Sequence, residues 1–130
     1  MAYPTGSGSE QLYNGTIHAQ SNSASAFKFD GTQNSTVGTN TAVVPALHII
    51  TVLNITITDQ EDNNGGLYLS MLDSGSNTIR LLENHNYGAL DTFVFNEKIV
   101  LRGGDKLFIN CGGGSANIDV FYCYIDQNWE

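Results

Sequence analysis

Hydrophobic and polar residues alternate along most of this chain, and the alternation has a period of two. The clearest case is His48–Asp59, where Leu53, Ile55 and Ile57 fall on one side and Asn54, Thr56 and Thr58 on the other. Successive side chains of a strand point to opposite faces, so the pattern predicts a strand with one buried and one wet face. Residues 67–72 are expected to run back from the polar tip at 59–66 and repeat the pattern, with Leu67, Leu69 and Met71 set against Tyr68 and Ser70. Residues 16–19, 25–30, 78–82, Thr92–Phe95, 97–101, 107–111 and 116–125 are further strand-like runs. Turn-forming residues separate them: Asp30-Gly31, Asp73-Ser74-Gly75-Ser76-Asn77 and Arg102-Gly103-Gly104-Asp105, with polar loops over 31–41, over 59–66 and around His85 and Tyr87. No segment combines helix caps with a helical period. About seven or eight short strands at near-regular spacing predict an all-β protein, an antiparallel β-sandwich or jelly-roll-like barrel.

The last two runs read as a hairpin around Gly112-Gly113-Gly114-Ser115. That register sets Cys111 against Ala116, Ile109 against Ile118 and Leu107 against Val120, with Phe108 and Phe121 on the other face. A one-residue slip would spoil both the alternation and the turn. Cys123 then lies on the face opposite Cys111 and far along the ladder, so the two cysteines are expected to stay reduced, since bonded cysteines need Cα atoms within about 7 Å.

The first 14 residues break the pattern. They are rich in Gly and Ser and carry Tyr3, Leu12 and Tyr13 as isolated anchors. Such a segment buries too little apolar surface to order itself, so 1–14 is expected to be an arm, flexible or ordered by a partner, and 15–130 a single sandwich domain.

Charge narrows the function classes. Five Lys and Arg stand against thirteen Asp and Glu, for a formal net charge of -8, and the basic residues are scattered. Nucleic-acid binding needs a basic stripe that displaces counterions, so none is expected. No apolar run approaches the length of a membrane-spanning helix. The start of the chain lacks the basic and apolar regions of a signal peptide, which predicts synthesis and folding in the cytosol. The Asn-X-Thr triplets at Asn14, Asn34 and Asn54 are then turn or strand-surface residues rather than glycosylation sites.

Candidate chemistry is sparse. His18, His48 and His85 show no metal-ligand spacing, and neither cysteine has a histidine near it in sequence. Asp59, Glu61 and Asn63 alternate as calcium ligands do, but Asn64 occupies the position where a calcium loop needs glycine. Gly113-Gly114-Ser115-Ala116 is not a nucleophile elbow, and the spacing of Glu83 and Asp91 does not favour a glycosidase pair over surface charges. No enzymatic activity, catalytic residue, metal or cofactor is expected.

One set of motifs goes further. Val44-Pro45-Ala46 precedes the longest strand, Leu101-Arg102-Gly103-Gly104-Asp105-Lys106-Leu107 forms a turn, and Ser115-Ala116-Asn117-Ile118-Asp119-Val120-Phe121-Tyr122-Cys123-Tyr124 ends the series. In this order the chain, over roughly residues 42 to 126, resembles the small β-sandwich virion proteins of tailed bacteriophages, including capsid decoration (cement) proteins of cyanobacterial phages. It departs from that pattern at Leu47, where the family has glycine, and at Gly104, where alanine is commoner. The resemblance implies a virion protein on the outer capsid surface, bound to the major capsid protein, often as a homotrimer, that stabilises the assembled head. Tyr3, Leu12, Tyr13, Phe108, Phe121 and Trp129 are the expected contacts with capsid or neighbouring subunits. The alternative is a tail, neck or head-fibre sandwich that binds host glycans on aromatic platforms such as Tyr68, Tyr87, Tyr122, Tyr124 and Trp129.

Overall fold

The computed structural model describes residues 10–20, 24–29, 43–60, 65–88, 90–112 and 117–129. Among them, nine strands form two antiparallel sheets: β1 (Glu10–Gln20), β2 (Ser25–Ala26), β3 (His48–Asp59), β4 (Gly65–Leu72), β5 (Thr78–Tyr87), β6 (Thr92–Phe95), β7 (Ile99–Arg102), β8 (Lys106–Gly112) and β9 (Asn117–Asn128). Sheet A runs β1-β9-β3-β6, with β7 also paired to β3, and sheet B runs β2-β8-β4-β5. The all-β sandwich expected from the alternation is the observed architecture.

The core lies between the sheets and takes every second residue from each. Ile17 and Ala19, Ile118 to Tyr124 at even positions, and Ile50, Val52, Ile55 and Ile57 are buried from sheet A; Leu67, Leu69, Leu107, Ile109 and Cys111 are buried from sheet B. Burying such side chains contributes about 2 kcal/mol each before the entropy of ordering them is subtracted. An aromatic group fills one part of this core. Tyr122 meets Phe27 edge-on at 4.8 Å, Phe29 meets Tyr124 edge-on at 5.1 Å, and Tyr13 stacks on Tyr124 at 5.4 Å. The Tyr122 hydroxyl donates to the Lys28 carbonyl at 2.7 Å and accepts from the Lys28 N–H at 3.1 Å. A core side chain thereby holds the backbone of residues 27–29, which run on from the short strand β2.

Four expectations need correction. β1 begins at Glu10, so residues 10–14 belong to sheet A rather than to an arm, and residues 1–9, including Tyr3, lie outside the described residues. β3 has its expected bounds, but the register shifts between Val52 and Asn54. This bulge at Leu53 changes which positions face inward: Ile50 and Val52 before it, Ile55 and Ile57 after it, while Leu53 itself is only half-buried. One extra residue on one strand of an antiparallel pair has this effect. β4 does not fold back on β3, and β9 does not pair with β8; both connections cross from one sheet to the other. Alternation marks the inward face of a strand but not the sheet it joins, so the 107–111 and 118–124 runs share the core from opposite sides. Finally, β5 continues through His85 and Tyr87, where the sequence predicts a loop.

The motifs that carry the resemblance form a clasp at one end of the sandwich. Val44 N–H donates to the Asp105 carbonyl at 2.9 Å and Gly104 N–H to the Val44 carbonyl at 3.0 Å. A Cβ on Gly103 would stand 3.0 Å from both the Ala46 Cα and the Pro45 carbonyl oxygen. The two departures from the family pattern both adopt left-handed backbone: Gly104 has φ 91° and Leu47 φ 62°. Glycine takes that conformation freely and leucine does not. Leu47→Gly is therefore expected to stabilise the fold by up to about 1 kcal/mol, read as a rise of a few degrees in thermal midpoint. The side chain lost is exposed and its carbonyl, which accepts from Trp129 N–H at 2.8 Å, is retained.

Candidate functional site

The residues singled out for chemistry separate in space or are used structurally. His18 Nδ1 lies 2.9 Å from Asp119 and His48 Nδ1 2.8 Å from Asp126, at opposite ends of β9. His85 packs on Phe93, linking β5 to β6 across the two sheets. Asp59 is buried at the end of β3 and accepts from Leu90 N–H at 3.2 Å; residues 61–64 lie outside the described residues. Glu83 pairs with Arg80 at 2.7 Å, and Asp91 accepts from its neighbour Thr92. Among the described residues, no group of three or more His, Cys, Asp or Glu side chains is placed to hold a metal ion.

Neither cysteine is part of a disulfide. Cys111 faces the core from sheet B, whereas Cys123 is half-buried on the outer face of sheet A, between Asn14 and Asn54. Burial pushes the Cys111 thiol up to about 11, with the Asp59 charge adding to the effect. The thiolate is the reactive form. At a pH near 8 an alkylating reagent is therefore expected to label Cys123 alone in the native protein and both cysteines in denaturant, counted by intact mass.

What remains is surface, and the two outer faces differ. The outer face of sheet A is a ladder of paired rows. Leu12, Ile125 and Thr51 stand side by side, with Val100 beyond; Asn14, Cys123 and Asn54 form the next row; Thr16, Phe121, Thr56 and Val94 the next. None of these three central rows contains a charged residue. Charges begin in the flanking rows, with Glu10 and Arg102 on one side and the His18–Asp119 pair, joined by Gln60, on the other. Leu12 is 69% exposed, Val100 59%, Val94 46% and Phe121 44%. A groove of about 320 Å³ crosses the strands between Thr16, His18, Thr56, Thr58, Asp119 and Phe121. β-branched threonines are suited to such a surface because they prefer strands and present a methyl with each hydroxyl.

The outer face of sheet B is smaller and more polar. Tyr68 stands opposite Asn110, and Ser70 lies between Phe108 and Arg80. These side chains line a groove of about 240 Å³, beside which Asn110 Oδ1 is buried without a hydrogen-bond partner.

The expected contact residues fall out as follows. Leu12 and Phe121 share the sheet A face. Phe108 lies on the opposite side of the molecule, on sheet B, so no single patch contains both phenylalanines. The hairpin register that placed them together does not exist. Tyr13 points inward onto Tyr124. Trp129 is half-buried beside the Leu47 turn. Of the aromatic platforms, Tyr122 and Tyr124 are core residues, the side chain of Tyr87 lies outside the description, and Tyr68 is on the sheet B surface. Sequence reading missed Val94 and Val100, the outward members of β6 and β7. Their exposure depends on β3 pairing with both short strands, which no local pattern encodes. No protein-family model, curated protein or solved structure matches the chain.

Proposed function

We propose that this is a virion structural protein of a tailed phage, a decoration protein that docks on the outer capsid surface through the outer face of sheet A. The observation that carries the reading is the uncharged centre of that face in a chain of net charge -8. Soluble proteins keep large apolar patches for contacts, and depletion of charge at the centre with charge at the rim is the composition of an interface. The acidic remainder keeps free copies dispersed by mutual repulsion until an assembled shell offers a composite site. Many copies, each bridging adjacent major capsid subunits, would add up through multivalency to a shell that resists internal pressure. The homotrimer at local three-fold positions and residence on the virion surface belong to the same proposal, as does a role without catalysis or cofactor.

The test is co-sedimentation with heads assembled without this protein. Phe121→Asp places a charge in the centre of the face at a position already exposed, so the fold should survive. Retention on heads is expected to fall at least about tenfold, since desolvating an unpaired charge costs several kcal/mol. Equal retention of wild type and variant would remove sheet A as the docking face.

A second reading rests on the groove of sheet B. Tyr68 and Phe108 offer aromatic surface beside Ser70, Arg80 and the unpaired Asn110 acceptor, a combination suited to the hydroxyl groups and apolar ring faces of a sugar. Glycan binding that is lost in Tyr68→Ala but kept in Phe121→Asp would favour it.

A further inference from the structure

The four sheet edges are not treated alike. A strand at an edge directs unpaired N–H and C=O groups outward, and proteins blunt such edges with short strands, interruptions, bulges or charge. β2 is only two residues long. The edge formed by β6 and β7 is split into two four-residue strands. β5 is disrupted by two register shifts against β4 and carries Arg80 and Glu83. β1 carries the fewest of these devices, its one formal charge being Glu10 at the first position of the strand. It runs eleven residues in unbroken register with β9, contains no proline, lysine or arginine, and among the described residues pairs with β9 alone.

We propose that the free edge of β1 pairs with β1 of a second copy, antiparallel across a two-fold axis, so that two A sheets join into one. An isologous contact of this kind satisfies both edges at once. The register centred on Asn14 keeps outward side chains on one face and is complementary. Glu10 meets the second copy's His18, Leu12 meets the second copy's Thr16, and Asn14 meets its own counterpart, with no like charges opposed. Both side chains hold exposed bonds within their own copy, His18 to Asp119 at 2.9 Å and Glu10 to Gln127 at 3.2 Å, and the pairing adds to or exchanges these contacts. The joined sheet also makes the uncharged faces of the two copies continuous. The two-fold pairing belongs to the free protein, is distinct from the three-fold arrangement proposed on the capsid, does not rest on head binding and is tested without heads.

The experiment is sedimentation equilibrium of the full chain, with circular dichroism to confirm folding of each variant. Wild type is expected to show a monomer–dimer equilibrium that tightens with salt, as screening weakens repulsion between two copies of charge -8. Asn14→Lys places two ammonium groups face to face at the axis and should weaken dimerisation at least about tenfold. Asn14→Glu should do the same. An equimolar mixture of the two variants should regain the dimer, now as a heterodimer, while Thr78→Lys on the β5 edge should leave the wild-type equilibrium unchanged. A wild type that stays monomeric up to about 1 mM, an Asn14→Lys variant that dimerises as wild type does, or a mixture that fails to recover would each overturn the proposal.

Discussion

Replacing Gly15 with alanine is expected to lower stability by about 3 kcal/mol, seen as a fall of roughly 10 °C in thermal midpoint. Alanine is ordinarily no worse than glycine inside a strand, because glycine loses more backbone entropy on folding. Here the space is taken. Gly15 stands directly opposite Tyr122 in the β1–β9 pair, and the tyrosine ring lies across it. A methyl group would sit 2.7 Å from Cε1 and nearer still to Cζ and the hydroxyl. The ring cannot swing aside at small cost. It is fully buried, packs edge-on against Phe27 at 4.8 Å and Phe29 at 6.1 Å, and is held at its hydroxyl by both backbone groups of Lys28. Moving it would also leave the half-buried peptide groups of Lys28 without this partner. A double-mutant cycle with Tyr122→Leu separates this steric account from a strand-propensity effect. The double variant should be distinctly more stable than the sum of the single losses, because leucine vacates the space above residue 15. Additive losses would mean that the ring does not impose the glycine.

Removing the Asp105 side chain is the second large expected loss, about 2 kcal/mol in Asp105→Ala. Asp105 is 4% exposed, and its Oδ2 accepts from Arg102 N–H at 2.8 Å, closing the turn between β7 and β8. The Asp105 backbone is engaged as well, donating to the Arg102 carbonyl at 3.0 Å and accepting from Val44 N–H at 2.9 Å. Alanine keeps the backbone bonds but leaves the Arg102 N–H without its acceptor, and the turn that carries the left-handed Gly104 loses its brace. Asparagine retains a side-chain oxygen and should recover about half of the loss. Urea unfolding is the measurement: the midpoint should fall with an unchanged slope, the sign of altered stability rather than an altered unfolded state. A loss near zero would mean that the clasp between residues 44–47 and 102–105 contributes little.

The turn between β4 and β5 uses the same device at the surface. Asp73 Oδ1 accepts from the backbone N–H of Asn77 at 2.8 Å and of Gly75 at 2.9 Å. These bonds, the Asn77 contribution first, hold its carboxyl below the ordinary carboxylate range. The ionised form is the one favoured in the fold, so this contribution is present above the ordinary range and is lost as the pH falls through the lowered value.

Strand positions and inward faces were legible in the sequence because burial repeats every two residues, as Leu107, Ile109 and Cys111 illustrate. Sheet membership was not. A glycine-rich connection after Cys111 is compatible with a hairpin or with a crossing to the other sheet, and the choice depends on which neighbours β9 finds, namely β1 and β3. The bulge at Leu53 was hidden for a similar reason: an unbroken run of alternating residues does not show where one strand gains a residue on its partner. β1 was legible only over 16–19, since Leu12, Asn14 and Thr16 give its outward side a weak polar contrast and Gly15 interrupts the inward one. Leu12 and Phe121 were found as exposed apolar residues, but the face that unites them with Val94 and Val100 exists only once four strands are aligned.

The central claim is that the uncharged outer face of sheet A is the surface laid against a phage shell. Imaging heads assembled without this protein, before and after mixing with it, by electron cryomicroscopy tests that claim most directly. The account predicts added density on the outer surface at regular lattice positions, with sheet A toward the shell and Phe121, Val94 and Val100 at the contact. Heads that gain no density, or density in which sheet B and Phe108 face the shell, would contradict it.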